Sequence, residues 1–353
     1  MSFPETTEKP EFPVHRPPIR ALVAVAALVA LTLTGCSAPA PQSTDAAAGD
    51  SAAASFPVTI ENAFGSTVIP KQPTRVVTWG WGSADDAIAL GVIPVAMPFQ
   101  AYAGDAQGVL PWISEALATS GTPTPTVLPD STEPPYEDIA KAAPDVILAA
   151  YSGITAEQYA LLSKIAPVVG YPDQPWATNW RDLITITGTA LGKSAEATTL
   201  LAGIDAKIAA AAAAHPEFAG KSIALTSDSG GTFYVYKKED PRVAFTLDLG
   251  FVNAPAVDAL ATDEASFYYT LSHEQLDKLT SDVLVNFGTT QEESDAFLSA
   301  GYAQAMPQVQ RGSVASPVGA AFISSVSPPT GLSLTWGLDD YVTMLSTAAK
   351  AAE

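Results

Sequence analysis

Aromatic side chains at the ends of predicted strands are the residues of this sequence best suited to binding a ligand. Aromatic walls with a few fixed charges are the usual lining for a large, partly apolar ligand that carries oxygen atoms. An ordinary place in the core is the alternative for any one of them, and Trp112, at helical spacing from Leu110 and Ile113, is assigned there. We predict a binding site formed by Trp79, Trp81, Phe99, Tyr102, Tyr151, Trp176, Trp180, Arg181, Tyr234, Tyr236, Arg242, Phe322 and Ser325.

Arginine is scarce after residue 55, so each one can be assigned a role from its neighbours. The arginines are Arg75, Arg181, Arg242 and Arg311. The first precedes a predicted strand and the last lies in a turn, which leaves Arg181 and Arg242 to bind ligand oxygens through charge-assisted hydrogen bonds. The alternative for Arg181 is an ion pair with Asp182 or Asp205.

Histidine content argues against two other kinds of site. Residues 227–231 read Ser-Asp-Ser-Gly-Gly, as in a serine-protease nucleophile segment, but a catalytic triad needs a positioned histidine. The histidines are His15, His215 and His273, which are scattered along the chain. A receptor for free zinc or manganese needs clustered histidines and carboxylates. We therefore expect no catalysis, no metal site and no cofactor, and we interpret residues 227–231 as a turn between two strands.

Cys36 is the single cysteine and follows an uncharged apolar run. The run ALVAVAALVALTL covers residues 21–33 and is preceded by Arg16 and Arg20. It is short for a membrane span, which needs about 20 residues, but it suits the apolar part of a secretory signal. Residues 33–36, Leu-Thr-Gly-Cys, have the form of a bacterial lipobox. We expect a lipid on Cys36 that anchors the protein to the cell membrane on its extracytoplasmic side; a buried structural cysteine is the alternative.

Composition sets the predicted domain boundaries. Residues 37–55 consist mainly of Ala, Ser, Pro and Asp, with nothing apolar to bury, which is typical of a flexible tether. The formal charge of −20 argues against a nucleic-acid partner, because such proteins cluster Lys and Arg. We predict a signal peptide (1–35), a tether (36–55), an N-terminal lobe (56–193), a connecting helix (194–215) and a C-terminal lobe (216–353).

Two segments of the chain share one order of residues. Residues 136–148 read YEDIAKAAPDVIL and residues 273–285 read HEQLDKLTSDVLV. Each predicts a short helix with an acid near its N-terminus, where the helix dipole favours negative charge, then a tight turn and a buried strand. The matching pairs are Glu137 with Glu274, Lys141 with Lys278, and Asp145 with Asp282. The repeat predicts two similar lobes, with chance similarity of two common helix–strand units as the alternative.

The remaining pattern predicts an α/β fold of two lobes joined by one long helix, with a ligand cleft between the lobes. Residues 194–215 begin with Ser194 as a helix cap and end at Pro216, and one face of this helix carries Ala197, Leu200, Leu201, Ile204 and Ile208. The predicted strands are 75–79, 92–96, 145–151 and 166–170 in the first lobe and 222–226, 232–236, 282–287 and 320–326 in the second.

Several motifs resemble those of a known family. Residues 69–77 (IPKQPTRVV) and 89–95 (ALGVIPV) look like the opening strand–helix–strand signature of substrate-binding lipoproteins of bacterial ABC importers for iron-siderophores and cobalamin. Residues 143–148, 164–169 and 336–340 fit as well, and the resemblance runs from about residue 56 to 350. The segments 79–81 (WGW) and 151–153 (YSG) favour the iron-siderophore branch.

The resemblance implies a monomeric receptor that binds a ferric siderophore between its lobes and delivers it to an ABC permease for iron uptake. In this family one glutamate of each lobe docks to permease arginines, and Glu137 and Glu274 match those positions. Cobalamin or haem are the alternative ligands of the same fold. A surface lipoprotein without a transport function is the alternative from another class.

Overall fold

The computed structural model describes residues 56–262 and 267–353. The predicted signal peptide and tether, with Cys36, lie outside the described residues. The first described elements are strands β1 (Val58–Asn62) and β2 (Gly65–Ile69), which pair antiparallel. Ile60 and Ile69 are buried in the core of the first lobe. The hairpin therefore covers one side of that lobe.

The first lobe is built around a parallel sheet whose strands alternate with helices along the chain. If the strands are counted along the chain, they lie side by side in the order fifth, fourth, third, sixth and seventh. Every neighbouring pair is parallel. Its central strands are wholly buried, as expected where helices cover both faces. The elements are β3 (Val76–Thr78), α1 (Ser83–Ala89), β4 (Ala96–Met97), α2 (Pro111–Ser120), β5 (Thr126–Val127), α3 (Tyr136–Lys141), β6 (Val146–Leu148), α4 (Ala156–Leu162), β7 (Val168–Val169) and α5 (Trp180–Leu191).

One long helix, α6 (Ser194–Ala214), connects the lobes as predicted. Its predicted apolar face is confirmed, because Ala197, Ile204 and Ile208 are buried in a core cluster that Leu200 and Leu201 contact. By length and composition α6 would also be apolar enough to cross a membrane. Because this face packs against the protein core, α6 acts as a connector. Lys193, not the predicted Ser194, precedes the first helical residue.

The second lobe contains a mixed sheet. Strand β8 (Ser222–Ser229) is central, with an antiparallel neighbour on one side and a parallel one on the other. The other elements are β9 (Thr232–Tyr236), α7 (Pro241–Asp248), β10 (Val252–Asn253), α8 (Pro255–Leu260), β11 (Tyr268–Leu271), β12 (Val283–Phe287), α9 (Gln291–Ser299), α10 (Pro307–Arg311), β13 (Val314–Ala315), α11 (Ala320–Val326), α12 (Ser333–Ala351) and the 3₁₀ segments Pro216–Phe218, His273–Lys278 and Ala303–Ala305. The sheet order is β11-β9-β8-β12-β13, and β10 pairs with β8.

A shared apolar core joins the two lobes. Trp180 and Ile184 of α5 and Ile204 of α6 belong to the same buried cluster as Phe245 and Leu338 of the second lobe. The helices that end the first lobe therefore pack directly on the second. Two α/β lobes joined by one long helix were predicted from the sequence, and this fold class is confirmed.

The sequence repeat adopts the predicted order of helix, turn and strand in both lobes. In the first lobe α3 is followed by β6. In the second lobe the 3₁₀ segment His273–Lys278 is followed by β12, so the helix is a tighter type than expected. The equivalence of Glu137 and Glu274 in the chain is thus preserved in local structure.

Residues 320–326 form helix α11, so the predicted strand is wrong. Ile323 and Val326, three residues apart, are both buried, which is the spacing of a helix face. A short apolar run does not distinguish a strand from a buried helix by its pattern alone. The strand predicted at 92–96 is also displaced, to β4, because Pro94 precedes it and offers no backbone donor.

Candidate ligand-binding cleft

A cavity between the lobes brings together residues that are distant in sequence. It has about 920 Å³ of empty volume, part of it open to solvent. We call it the polar compartment; it is lined from the first lobe by Trp81, Asp85, Gln100, Tyr102 and Trp112 and from the second by Asp228, Tyr236, Arg242, Phe287, Thr289, Glu293 and Thr330, among others. A cleft at this place is the one expected for an α/β protein, beyond the carboxyl ends of parallel strands.

A second cavity adjoins the first and shares five lining residues with it: Trp81, Ser227, Ser229, Tyr236 and Arg242. It has about 880 Å³ of empty volume. We call it the aromatic compartment, because rings from both lobes line it: Trp81, Tyr151, Trp176, Tyr234, Tyr236, Phe267 and Tyr268. The cleft therefore has two compartments that meet at one tryptophan, one tyrosine, one arginine and two serines.

The first-lobe wall of the aromatic compartment is a cluster of three rings. The ring centroid of Trp81 lies 5.3 Å from that of Trp176 and 6.5 Å from that of Tyr151. Trp81 is 43% exposed, which is unusual for so large an apolar side chain and leaves its face free for a ligand. Gly80 has a φ of 90°, and a Cβ there would collide with the backbone oxygen of Tyr151. Glycine is therefore required for the loop that carries Trp81.

The second-lobe wall follows from the alternation of one strand. In β9, Phe233 and Val235 are buried in the core, whereas Tyr234 and Tyr236 lie on the opposite face. Successive side chains of a strand point to opposite faces. Tyr234 lines the aromatic compartment, and Tyr236 lines both.

Arg242 lies at the boundary of the two compartments in a fixed orientation. Its Nε donates to Asp240 Oδ1 at 2.8 Å, and its guanidinium carbon lies 3.8 Å from the ring centroid of Tyr236. Burial disfavours its charge, but the Asp240 carboxylate outweighs burial and holds the pKa of Arg242 above its ordinary value. Arg242 is therefore always charged and can donate to oxygen atoms of a ligand.

The structure brings together seven of the residues predicted from sequence. They are Trp81, Tyr102, Tyr151, Trp176, Tyr234, Tyr236 and Arg242. Tyr102 is 48% exposed, and its hydroxyl lies 3.5 Å from Thr289 Oγ1 of the opposite lobe. It therefore bridges the mouth of the cleft.

Trp180 and Arg181 do not line the cleft, which corrects the prediction. Trp180 is 1% exposed and belongs to the core shared by the lobes. Arg181 forms ion pairs at 2.7 Å with Asp205 of α6 and with Asp248 of α7. Both residues begin α5, which packs against α6 and away from the strand ends. The alternative pairing with Asp205 is therefore the observed one, and the role of Arg181 is structural.

Trp79 and Phe99 also lie elsewhere. Trp79 packs against the core of the first lobe because it follows β3 directly, and its backbone N–H donates to Leu148 O. Phe99 lines a separate surface groove of the first lobe with Asp105 and Val109. Neither ring lines the two compartments of the cleft, so both predictions are corrected.

Phe322 and Ser325 were predicted from a strand that is in fact helix α11. Phe322 packs against the shared core, and the hydroxyl of Ser325 donates to Phe322 O at 2.7 Å within the helix. The helical turn instead presents Ile323 and Ser324 to the polar compartment. The error in secondary structure therefore produced the error in the site.

Asp85 is a cleft residue that sequence reasoning missed. It accepts hydrogen bonds from Trp112 Nε1 and, at 3.0 Å, from Thr330 Oγ1 of the second lobe. Burial raises its pKa to about 6, against the opposing effect of these hydrogen bonds. The pair of acids at 85–86 within an otherwise apolar helix was the available signal. Trp112, assigned to the core, is indeed buried there, and it also lines the polar compartment.

The segment 227–231 forms the end of β8 and a tight turn into β9, as interpreted from the sequence. Gly230 and Gly231 have positive φ values of 59° and 79°. Ser227 Oγ donates to the backbone oxygen of Phe287 at 3.2 Å. His273 instead lies 3.3 Å from Asp228 Oδ1 and stacks on Tyr302, so it does not contact a serine nucleophile.

The two glutamates at equivalent positions of the repeat, Glu137 and Glu274, are both exposed. Each lies in the first turn of its helical segment. Within residues 56–262 and 267–353, no group of three or more His, Cys, Asp and Glu side chains comes together to hold a metal ion.

Comparison with known proteins identifies the fold and the family. A family model described as periplasmic binding protein matches residues 76–316, more than half of the chain. The structure of PiaA from Streptococcus pneumoniae in complex with ferrichrome is 33% identical, with a TM-score of 0.77, and the match covers 84% of this chain and 99% of that one. A periplasmic solute binding protein from Mycobacterium smegmatis is 28% identical, with a TM-score of 0.70, over 83% and 98% of the two chains.

Staphylococcus aureus SirA complexed with staphyloferrin B is 23% identical, with a TM-score of 0.67, over 82% of this chain and 98% of that one, and it supports the fold alone. A comparison with curated proteins finds no match. Proteins of the matched family carry ligands and are not enzymes, which excludes the serine-protease interpretation of residues 227–231. By the family model and the similarity to PiaA, this chain belongs to the periplasmic binding protein family.

Proposed function

We propose that this protein binds a ferric siderophore in the cleft and delivers it to an ABC permease for iron uptake. The observation that carries the proposal is the aromatic compartment with Arg242 at its boundary. A ferric siderophore presents an organic shell around oxygen atoms that bind the iron. Rings such as Trp81 and Tyr234 can pack against the shell, while the guanidinium of Arg242 donates to the oxygens. The similarity to PiaA, solved in complex with ferrichrome, supports this class of ligand.

The iron would arrive already bound by its chelator. The protein therefore needs no metal-ligating side chains, and its task is to recognise the shape and charge of the complex. Cobalamin and haem also suit aromatic walls and remain the alternative ligands. We expect the protein to act as a monomer, since the cleft is formed by the two lobes of one chain.

We assign docking to the permease to Glu137 and Glu274. Both side chains are exposed, and both occupy the same position of the repeat. A permease with two equivalent basic patches would then bind one glutamate from each lobe. The alternative is that each carboxylate only complements its helix dipole, which contributes about 0.3–1 kcal/mol.

We infer an extracytoplasmic location with a lipid anchor on Cys36. The apolar run 21–33 and the lipobox at 33–36 support this inference. Residues 37–55 would then act as the tether between the membrane and the folded lobes.

A fluorescence titration tests the ligand. The purified protein is titrated with ferric hydroxamate, catecholate and carboxylate siderophores, cobalamin and haem, and quenching of tryptophan emission is followed. Gallium(III) complexes, which absorb less visible light, control for inner-filter effects. We expect saturable binding of at least one ferric siderophore with a Kd in the micromolar range or below. If only cobalamin or haem binds, that compound is the ligand and the ferric siderophore is excluded. If none of the compounds binds, the result favours a surface lipoprotein without a transport function.

A further inference from the structure

The polar compartment contains a buried carboxylate with one oxygen that no other residue occupies. Asp85 is 2% exposed and lines the cavity. Its two hydrogen-bond donors, Trp112 Nε1 and Thr330 Oγ1, both end on Oδ1. No other residue among those described donates a hydrogen bond to Oδ2. Besides these side chains, only the backbone N–H of Asp85 itself bonds to the carboxylate within the described part of the chain. A buried carboxylate that lines a ligand cavity and has so few donors is a site for a donor group of the ligand.

No cation of the described residues pairs with Asp85. The guanidinium in the cavity lining, Arg242, is ion-paired with Asp240 at 2.8 Å. Burial raises the pKa of Asp85 to about 6, so the cavity disfavours its charged form, and a cationic partner would stabilise that form. A buried charge is costly unless it is paired and hydrogen-bonded. A positively charged group on the ligand would supply the missing partner.

Two further carboxylates make the polar compartment negative. Asp228 accepts a hydrogen bond from Tyr302 Oη at 2.6 Å, and Glu293 accepts one from the backbone N–H of Thr289 at 2.8 Å. Both line the polar compartment. The described lining of the aromatic compartment contains no acidic side chain. The two compartments therefore suit chemically different parts of one ligand.

We propose, on the basis of the proposed function, that the cleft selects a siderophore with a cationic arm. The ferric chelate lies against the rings of the aromatic compartment and Arg242. The arm enters the polar compartment and ends in a primary ammonium group that donates to Asp85 Oδ2. Chelates with anionic arms are disfavoured, because Asp85, Asp228 and Glu293 repel them.

A matched pair of ligands tests this selection. Ferrioxamine B is a linear ferric trihydroxamate with a terminal primary amine, and in its N-acetyl derivative a neutral, slightly larger amide replaces the ammonium group. We expect the intact protein at pH 7.5 to bind the amine about tenfold or more tightly than the acetylated form, as a buried charge-assisted hydrogen bond predicts. Kd values are measured by fluorescence quenching and by calorimetry, with neutral ferrichrome as a reference.

Three variants assign the preference to Asp85. Asp85→Asn should bring the ratio of the two affinities close to one. Asp339→Asn changes an exposed carboxylate of α12 outside the cavity and should retain the ratio. Glu115→Gln changes an exposed carboxylate of α2 outside the cavity and should also retain it. Circular dichroism and thermal unfolding check that each variant is folded.

The outcomes separate this inference from the proposed function. Equal affinities for the two ligands in the intact protein, or an unchanged ratio in folded Asp85→Asn, overturn the cationic-arm inference while ferrichrome binding still supports the proposed function. If no ferric siderophore binds at all, both fail. If Asp85→Asn does not fold, the N,N-dimethylated amine decides: it is larger than the amine but still cationic, so a charge-selective cleft binds it like the amine, whereas a size-selective cleft binds it like the acetyl derivative and overturns the inference.

Discussion

Asp145 and Asp282 make the same connection in the two lobes. Each residue immediately precedes a central strand, and its carboxylate accepts a backbone hydrogen bond at the start of the neighbouring strand. Asp145 accepts from the N–H of Arg75, the residue before β3, at 2.9 Å, and Asp282 accepts from that of Ser222, the first residue of β8, at 2.7 Å. In return, each aspartate donates its own N–H to the backbone oxygen of the same partner. The repeat found in the sequence is therefore a structural equivalence of the two lobes.

The first prediction concerns the contribution of Asp282 to stability. Burial opposes its charge, but the hydrogen bonds from Ser222 outweigh burial, so the pKa of Asp282 is lowered. A lowered pKa stabilises the fold above the unfolded value and loses that contribution as the pH falls through the folded value. We expect Asp282→Asn to lower the free energy of unfolding by about 1 kcal/mol at pH 7. Denaturant unfolding measures it.

The effect of Asp282→Asn should shrink as the pH falls from the ordinary aspartate pKa of about 4 through the lower pKa of the folded carboxyl, where the wild-type side chain also becomes protonated. Asp295→Asn, a change of an exposed carboxylate in α9, serves as the matched control and should have little effect at either pH. A loss of stability that does not change with pH would contradict this origin.

The second prediction concerns docking. The double variant Glu137→Lys with Glu274→Lys should bind its ligand with unchanged affinity but abolish uptake by cells, because like charges would meet at the permease. Uptake of the ⁵⁵Fe-labelled ligand is the measurement. Glu61→Lys with Glu353→Lys, at exposed positions outside the repeat, should leave uptake unchanged. Normal uptake by the first variant at normal protein levels would favour the dipole role.

The third prediction concerns Trp81. Trp81→Ala removes one of the two rings that line both compartments and should weaken ligand binding by roughly 1–3 kcal/mol. Trp336→Ala is the matched control, since Trp336 is 38% exposed and does not line the cleft. Calorimetric titration compares the two. Equal losses of affinity would show that the aromatic compartment is not the ligand site.

The fourth prediction separates the two arginines. Arg242→Gln should weaken binding by roughly 1–3 kcal/mol, because it removes a charge that donates to ligand oxygens. Arg181→Gln removes an ion-paired arginine outside the cleft and should lower stability without a change in affinity. Titration gives the ligand affinity of each variant, and thermal unfolding gives its stability. A loss of affinity in Arg181→Gln but not in Arg242→Gln would instead support the ligand-binding role that the sequence predicted for Arg181.

The fifth prediction concerns attachment. Cys36→Ala should leave an uncut precursor or release the protein from the membrane fraction, because the thiol that receives the lipid is absent. Fractionation and the migration of the protein on a gel report both outcomes. Cys36→Ser offers a closer isostere with the same expected result. Wild-type migration and membrane association in both variants would rule out the lipobox.

Features that depend on the periodicity of a single strand or helix could be predicted from the sequence. The alternation in β9 that places Tyr234 and Tyr236 on one face, the apolar stripe of α6 and the repeat around Asp145 and Asp282 all follow from fixed backbone geometry. Glycines beside Trp81 likewise indicated a close approach of backbone, because only a residue without Cβ fits there. The α/β class, the two lobes and much of the aromatic wall were therefore determined by the sequence itself.

Tertiary packing decided which polar and aromatic side chains meet. The sequence offers no feature that separates Trp180 and Arg181 from Trp81 and Arg242 as binding residues. Because α5 packs on α6, however, Trp180 is buried in the shared core, and Arg181 forms ion pairs with Asp205 and Asp248. Asp85 became a cleft residue only because the second lobe brings Thr330 to it across 245 positions of the chain. Such contacts depend on how the lobes are placed against each other, and no local period of the sequence encodes that placement.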